Sequence, residues 1–308
     1  MNNKKTKLLI LTGATAIGKS GLAVSIAKQT NASIIGCDSM QIYRRMNIGT
    51  GKISKEEMLG VPHYMIDIVE PSENYSVSDY VKSSEKIIGE IAKNQNILIV
   101  GGTGLYISSL IQGYNLAAVP QNPKLREEYQ AIIDTLGGEH LYKILLEKDP
   151  TIANKIYPAD TKRVIRALEI FEFSGSTKSQ KATEDVETVL DKYDILQIVL
   201  DCDREILYKK INARVDEMIK DGLEKEVYSL KEYKDCQSMK AIGYRQFIEY
   251  FDGLISREDC INKIKQHSRN YAKRQLTYFR HMTSPNKQFI DVSKSEKVLE
   301  MAQKHLLY

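Results

Sequence analysis

The fold of this chain is decided near its start, by the stretch Gly13-Ala14-Thr15-Ala16-Ile17-Gly18-Lys19-Ser20. It fits the pattern G-x-x-x-x-G-K-[ST] of a loop that cradles phosphate groups. Apolar residues 8–11 precede the loop, and residues 22–27 follow it with helical spacing. Such a loop requires a strand, a glycine-rich turn and a helix, because its N–H groups and the helix N-terminus then point at the phosphates. The sequence therefore predicts that residues 13–20 bind a diphosphate or triphosphate.

Two side chains of this phosphate loop have predicted roles of their own. Lys19 is expected to reach the terminal phosphate oxygens, and the hydroxyl of Ser20 is expected to bind Mg2+. The loop does not reveal which reaction uses the phosphates. A kinase that uses ATP to phosphorylate a small molecule or a nucleotide is therefore an open alternative.

The bulk composition narrows the class of protein. A chain of 308 residues has room for one large domain or two. No apolar run approaches the length of a membrane span, and residues 1–7 lack the apolar core of a signal peptide. The four cysteines form no C-x-x-C pair and are expected to be reduced thiols. We expect a cytoplasmic monomer that needs no membrane and no obligate protein partner.

Strands alternate with helices in the first part of the chain. Strands at 33–37 and 97–100 with a helix at 77–93 predict an α/β class, a P-loop NTPase-like parallel sheet flanked by helices. From about Pro120 the pattern becomes helical, and a strand returns at 193–200. Further helices are predicted at 123–136, 140–147, 160–173 and 258–280, with a break at Asp221-Gly222. The predicted organisation is a core (1–119), an all-helical insertion domain (120–192) and a completion of the core with basic helices (193–308).

Three polar residues follow the strands beside the phosphate loop: Asp38, Ser39 and Thr103. Nucleoside-triphosphate hydrolases end the strand equivalent to 97–100 with a carboxylate, whereas this strand ends in Gly101-Gly102-Thr103. The nearest acid in an equivalent position is Asp38, which is either a general base or only a cap for the turn that follows. Thr103 is a candidate hydrogen-bond donor to a leaving oxygen, although a turn of this kind needs no function.

Positive charge is concentrated near the C-terminus. Residues 261–290 contain no Asp or Glu, although the net charge of the whole chain is only +4. The stretch carries Lys263, Lys265, Arg269, Lys273, Arg274, Arg280 and Lys287, with Tyr271, Tyr278 and Phe279 between them. A basic helix with aromatic residues predicts a surface for a nucleic-acid backbone, and the alternative is a solvated helix face. A second cluster, Lys162, Arg163 and Arg166, follows Asp160, a predicted N-cap, and either binds phosphate or is solvated.

Taken together, these residues resemble the tRNA dimethylallyltransferase family over nearly the whole chain. The phosphate loop is followed, in the family's order, by the matching segments 38–43 (DSMQIY), 46–52 (MNIGTGK), 61–64 (VPHY), 101–106 (GGTGLY), 160–169 (DTKRVIRALE), 241–246 (AIGYRQ) and 271–280 (YAKRQLTYFR). The sequence departs from the family at Ser268, where Thr is usual, and at Tyr278, where Trp is usual.

The resemblance implies a reaction. The exocyclic amine of the adenosine 3′ to the anticodon, in tRNAs that read codons starting with U, attacks dimethylallyl diphosphate, and pyrophosphate leaves. By the same resemblance Asp38 takes the amine proton, Thr103 contacts the departing oxygen and Arg245 helps to clamp the diphosphate. Residues 13–20 then hold a diphosphate leaving group, whose charge Lys19 and Mg2+ on Ser20 neutralise.

The resemblance also assigns residues to the tRNA anticodon stem-loop. The implied contacts are Asp38, Ser39, Met40, Gln41, Thr103, Arg126, Lys162, Arg163, Val164, Ile165 and Arg166. The insertion domain is then expected to grip the stem from one side. The basic C-terminal helix, with Lys273 and Arg274, is expected to contact the RNA backbone.

Overall fold

A computed structural model describes residues 5–112, 122–174 and 192–308. The chain forms two compact units, one made of residues 1–112 with 189–308 and the other of residues 113–188. The predicted insertion domain, 120–192, overlaps the second unit, and its two boundaries lie seven and four residues later along the chain than those of the unit. The first predicted boundary, residue 120, lies outside the described residues, whereas the second, residue 192, directly precedes a described strand.

The first unit is built on a six-stranded parallel sheet with the order β3-β2-β4-β1-β5-β6. Its strands are β1 (Thr6–Gly13), β2 (Ala32–Cys37), β3 (His63–Tyr64), β4 (Asn96–Gly101), β5 (Tyr193–Asp201) and β6 (Lys287–Asp291). The central strands are apolar on both faces because helices cover both sides of a parallel sheet. The predicted α/β class and the four predicted strands are confirmed. The sequence analysis missed β3, which has only two residues, and β6, an edge strand in which only Ile290 is buried.

Helices of the first unit pack on both faces of the sheet. They are α1 (Lys19–Thr30), α2 (Val77–Ile91), α3 (Gly104–Gln112), α8 (Arg204–Lys220), α9 (Leu223–Ser229), α10 (Tyr244–Phe251), α11 (Arg257–His281) and α12 (Ser295–Leu307). The predicted break between α8 and α9 is confirmed, since Gly222 has a φ of +101° there. The predicted long helix is α11, whose first turn is capped by the side chain of Ser256.

Alternate residues of β1 face two different apolar cores. Leu9 and Leu11 pack with α1 and α12, whereas Leu8 and Ile10 pack with α2 and α3. A third core joins α9, α10 and α11 to residues 42–46. Since β1 pairs with β4 on one side and β5 on the other, the phosphate loop leaves the sheet at its centre. Ligands of open α/β sheets bind at this carboxyl edge of the strands.

The second unit is helical in its described part, residues 122–174. It contains α4 (Pro123–Leu136), α5 (Gly138–Lys148), α6 (Pro150–Ala153) and α7 (Thr161–Ser174) around a core of its own. Three of these were predicted, and the four-residue α6 was missed. The predicted cap is confirmed, because the backbone N–H of Arg163 donates to Oδ1 of Asp160 at 3.3 Å. Across the described ranges of both units, no helix is long and apolar enough to cross a membrane.

Candidate active site

The phosphate loop wraps the N-terminus of α1, as predicted. Gly13 and Gly18 have φ angles of +146° and +103°, which glycine adopts without strain. A Cβ at Gly13 would lie 2.7 Å from the carbonyl oxygen of Leu200, so the loop needs glycine at this position. Ala14 and Ile17 are buried in the apolar core, and their packing there holds the loop against the sheet. Of the eight predicted residues, the following face a cavity of about 750 Å³: Thr15, Ala16, Gly18, Lys19 and Ser20.

Lys19 is held against the loop. Its Nζ donates to the carbonyl oxygens of Gly13 at 3.0 Å and Ala14 at 2.7 Å. Burial lowers the pKa of Lys19 to about 8, with Asp38 opposing the shift and Arg214 adding to it. Lys19 therefore lies close to both a carboxylate and a second cation.

Asp38 lies at the carboxyl end of β2 and lines the same cavity. Its Oδ1 accepts the backbone N–H groups of Met40 at 2.9 Å and Gln41 at 3.4 Å. One oxygen thus caps the turn, which is one of the two roles that the sequence analysis considered for Asp38. The other oxygen, Oδ2, accepts no hydrogen bond from the residues that the structure describes, so the capping contact leaves a carboxylate oxygen for a second role.

Thr103 ties the ends of β2 and β4 together. Its Oγ1 accepts the backbone N–H of Ser39 at 3.0 Å, and its own N–H donates to the carbonyl oxygen of Cys37 at 3.2 Å. Tyr271 of α11 lies beside this pair. Burial raises the pKa of Tyr271, the charge of Asp38 adds to the shift, and a hydrogen bond with Thr103 opposes it. Asp38 and Tyr271 therefore line the cavity, whereas Thr103 is not a lining residue and lies next to both of them.

Arg214, on α8, is a cavity residue that the sequence analysis missed. Its Nη2 donates to the carbonyl oxygen of Gly51 at 3.3 Å. Burial lowers its pKa, and the carboxylates of Asp38, Glu217 and Glu57 oppose that shift from a distance. Among the described residues, no carboxylate oxygen lies within 4.0 Å of a guanidinium nitrogen of Arg214, the distance that defines an ion pair. A partly buried cation that faces a cavity without a paired anion is a candidate anion-binding group, and no local motif marks it in the sequence.

Arg245, the predicted diphosphate clamp, is not among the residues that line the cavity. It is half-exposed on α10, with Nε 3.9 Å from Glu249 Oε1 and Nη2 3.3 Å from Nδ1 of His267. The clamp therefore stays a prediction for Arg245. The arginine that the structure brings to the phosphate loop is Arg214.

Gln275 of α11 joins two of the loops around the cavity. Its Oε1 accepts the backbone N–H of Thr15 at 2.9 Å, and its Nε2 donates to the carbonyl oxygen of Gly102 at 2.9 Å. The side chain is almost fully buried. The sequence offered a signal that was not used: Gln275 is a polar residue one helical turn after Tyr271, within the segment 271–280 that carries the family resemblance.

The predicted tRNA contacts in the helical unit differ in their surroundings. Arg126 makes two hydrogen bonds to the buried carboxylate of Glu169, at 2.7 and 2.9 Å, and Arg166 donates to the same carboxylate at 3.2 Å. Val164 and Ile165 are core residues with 0% and 8% of their surface exposed. Both side chains pack inside the unit, and a contact of these two residues with tRNA stays a prediction. Lys162 and Arg163 are exposed.

The acid-free stretch of sequence is partly neutralised in three dimensions. Its cations pair with polar groups of other elements: Lys263 with Glu249, Lys265 with Asp216, Arg269 with Asn212 and Arg280 with Asp201. Lys273 and Arg274 are exposed, and the Arg274 guanidinium lies 5.8 Å from the centre of the Tyr271 ring. Lys273 and Arg274 are thus exposed cations of α11 that form no ion pair with the described residues, and they lie beside the cavity residue Tyr271.

Comparisons with known proteins give one consistent result. The family model described as IPP transferase matches residues 41–282. The tRNA dimethylallyltransferase of Bacillus subtilis (strain 168) is 46% identical over 284 residues, covering 91% of this chain and 90% of that protein. The protein of the same name from Thermoanaerobacter sp. (strain X514) is 45% identical, covering 89% of each chain.

Two solved structures share the fold. The tRNA isopentenylpyrophosphate transferase from Bacillus halodurans has a TM-score of 0.72 and 38% identity, covering 98% of this chain and 97% of that one. A eukaryotic dimethylallyltransferase, described as acting on tRNA, has a TM-score of 0.80 and 29% identity, covering 93% of this chain and 74% of that one.

Proposed function

This chain belongs to the IPP transferase family, and on that premise we propose that it transfers a dimethylallyl group from dimethylallyl diphosphate to tRNA. The acceptor is the exocyclic amine of the adenosine 3′ to the anticodon, in tRNAs that read codons starting with U. Pyrophosphate is released. The observation that carries the proposal is the meeting of two partly buried cations, Lys19 and Arg214, with the carboxylate of Asp38 at one cavity.

The cations serve the leaving group. When the allylic C–O bond breaks, negative charge grows on the diphosphate, and buried positive groups that are already in place stabilise that charge strongly. The backbone N–H groups of residues 13–20, Lys19 and Arg214 supply this stabilisation. An allylic carbon tolerates positive charge, so expelling pyrophosphate accounts for much of the lowering of the barrier.

Mg2+ fits the donor set beside the loop. Within the described residues, no three His, Cys, Asp or Glu side chains gather into a metal site, whereas the exposed Ser20 hydroxyl lines the cavity. Mg2+ is commonly held by few protein ligands together with substrate phosphates and waters. Ser20 would hold it, and the bound ion would neutralise charge on the diphosphate.

Asp38 serves the acceptor. The adenine amine forms the new N–C bond as the C–O bond breaks, and its surplus proton passes to Asp38 and then to solvent. Thr103 and Tyr271 lie beside Asp38, where they can orient the base or the departing oxygen. The base leaves its stack to reach this site, which is least costly in a loop of RNA.

The anticodon stem-loop is the proposed macromolecular partner, and the cytoplasm is the proposed location. Lys273 and Arg274 of α11 would contact phosphates near the cavity, and Lys162 and Arg163 would contact phosphates from the helical unit. Asp38, Ser39, Met40, Gln41 and Thr103 lie nearest the target base in this proposal. Arg126 and Arg166 donate hydrogen bonds to Glu169. We propose that both also contact the RNA.

A kinase is the weaker candidate. Strand β4 runs into Gly101 and Gly102 without the acid that nucleoside-triphosphate hydrolases place there, and the relatives are named as tRNA dimethylallyltransferases. The test is to incubate the protein with Mg2+, unmodified tRNA and dimethylallyl diphosphate labelled in its five-carbon unit. Label is expected in the tRNA. Label that stays soluble while ATP is consumed would support the kinase instead.

A further inference from the structure

Residues 46–52 form a loop that connects several parts of the cavity. Five of its members line the cavity: Asn47, Ile48, Thr50, Gly51 and Lys52. The carbonyl oxygen of Gly51 accepts the Nη2 of Arg214, and the carbonyl oxygens of Thr50 and Gly51 accept the Nε2 of Gln41 at 3.2 and 3.3 Å. The position of this loop therefore sets the positions of two side chains that face the substrate.

The loop is anchored from outside the cavity by one carboxylate. Oε2 of Glu226, on α9, accepts the backbone N–H groups of Asn47 at 3.0 Å and Ile48 at 2.8 Å. Oε1 accepts the N–H of Gly49 at 3.0 Å and the hydroxyl of Tyr244 at 2.5 Å. Three successive N–H groups that converge on one anion form a concave binding site for it. Hydrogen bonds to a charged acceptor are about twice as strong as those between neutral groups.

Packing fixes the loop between Tyr244 and Arg214. A Cβ at Gly49 would lie 2.5 Å from Cε2 of the buried Tyr244 ring, and a Cβ at Gly51 would overlap the guanidinium of Arg214. Both glycines are therefore needed for these close approaches. Tyr244 belongs to the segment 241–246 that carries the family resemblance, and Glu226 lies outside every segment quoted for it.

We propose that Glu226 is a positioning residue for diphosphate binding, which acts through the loop 46–52 to hold Arg214 and Gln41 in place. The proposal rests on the proposed function, because it takes the diphosphate as the ligand of Arg214. Glu226 does not line the cavity, so its effect on the ligand is indirect. Without the carboxylate, three backbone N–H groups lose their acceptor and the carbonyl of Gly51 is no longer held against Arg214.

The test compares two substitutions on the same helix. Glu226→Gln keeps the size of the side chain but turns an NH2 group towards backbone N–H donors. Glu224→Gln is the matched control, since Glu224 pairs with Arg257 at 2.8 Å and makes no hydrogen bond or ion pair with residues 46–52. The measurements are the binding of inorganic pyrophosphate with Mg2+ by calorimetry, the binding of unmodified tRNA at fixed salt, and the melting temperature.

E226Q is expected to weaken pyrophosphate binding by about tenfold or more, the loss typical of one hydrogen bond to a charged group. Its tRNA binding is expected to change by less than about threefold, and E224Q to match the unsubstituted protein in both. Tyr244→Phe removes one donor and leaves the three backbone contacts, so a smaller loss of pyrophosphate binding in the same direction is expected.

Three results would overturn the inference. Normal pyrophosphate binding by E226Q would remove Glu226 from this role and leave the proposed function standing. An equal loss of pyrophosphate and tRNA binding, together with a fall in melting temperature, would make Glu226 a residue of general stability. If the unsubstituted protein bound no pyrophosphate, both the proposed function and the role of Glu226 would fail.

Discussion

At the scale of single residues, the two oxygens of Asp38 have different surroundings. Oδ1 caps the turn after β2, whereas Oδ2 accepts no hydrogen bond from the described residues, and Asp38 lines a cavity together with Lys19 and Arg214. Asp38→Asn separates these roles, because its amide oxygen still accepts the N–H of Met40 whereas the group no longer takes a proton. We expect Asp38→Asn to keep tRNA binding and lose at least about a hundredfold in turnover, the low end of the effect of a general base.

The comparison with Asp38→Ala sharpens this test. Alanine removes both the cap and the base, so its turnover should fall at least as far as that of Asp38→Asn, with an added loss of stability of about 1 kcal/mol from the missing cap. Single-turnover kinetics with tRNA measures the chemical step for both variants. Near-normal turnover of Asp38→Asn with poor turnover of Asp38→Ala would show that Asp38 is only a cap.

The pKa of Lys19 predicts a pH dependence. Burial lowers this pKa to about 8, against the opposing effect of Asp38. Only the protonated amine attracts the diphosphate, so the attraction is complete well below pH 8 and is lost as the pH rises through 8. At one pH unit above this pKa, Lys19 is protonated in about a tenth of the protein molecules. We therefore expect kcat/KM for dimethylallyl diphosphate to fall about tenfold between pH 7 and pH 9.

Lys19→Arg is the control for this profile, because an arginine side chain stays charged over the whole range. Its kcat/KM should be lower at every pH but should not decline between pH 7 and pH 9. Parallel declines in the two proteins would assign the titration to another group.

At the scale of elements, the sequence predicted the helices and strands more completely than it predicted the residues of the site. The predicted helix 123–136 has the bounds of α4, and the predicted helix 258–280 differs from α11 by one residue at each end, because capping residues and apolar spacing are local signals. Asp38 and Thr103 were also found from a local signal, because each follows an apolar strand, and parallel strands bring their carboxyl ends to one edge of the sheet. Arg214 and Gln275 lie in mid-helix, and their approach to the loop depends on how the helices dock. The sequence alone did not fix that docking.

Glu169 shows how one buried carboxylate holds the helices α4 and α7 together. Its side chain is 1% exposed and accepts Arg126, Arg166 and the N–H of Asn122. Glu169→Gln should destabilise this unit by about 2 kcal/mol, because hydrogen bonds to a charged group are lost in a buried place. Glu172→Gln, one turn later on α7, should cost under about 1 kcal/mol, since its pair with Lys148 is partly exposed. Urea unfolding followed by circular dichroism measures both changes.

The pKa of Glu169 predicts how the stability of this unit depends on pH. Burial raises the pKa of Glu169, but the hydrogen bonds from Arg126, Asn122 and Arg166 outweigh it and leave the pKa below its ordinary 4.5. The stabilisation is therefore complete above pH 4.5 and is lost as the pH falls through the folded-state pKa. The stability difference between the original protein and Glu169→Gln should shrink over that range. A constant difference would mean that the loss comes from packing.

At the scale of the whole molecule, the placement of charge matters more than its total. The net charge of +4 hides a stretch without acids at 261–290, and folding pairs several of its cations with groups from other elements. What reaches the surface of α11 beside the cavity is the pair Lys273 and Arg274. A polyanion that docks beside the cavity would therefore meet two unpaired cations of α11, Lys273 and Arg274, and a count over the linear stretch 261–290 overstates the number that α11 offers.

This placement predicts how tRNA binding responds to salt. Each cation that contacts a phosphate releases a counterion, so Lys273→Gln and Arg274→Gln should each weaken tRNA binding and reduce the slope of log Kd against log salt by about one. Lys265→Gln is the control on the same helix, because Lys265 is 2.6 Å from Asp216 and is already neutralised within the protein. Its slope should stay close to that of the unsubstituted protein. An equal reduction in all three variants would mean that α11 acts only through its overall charge, and an unchanged slope in Lys273→Gln and Arg274→Gln would place the RNA backbone on another surface.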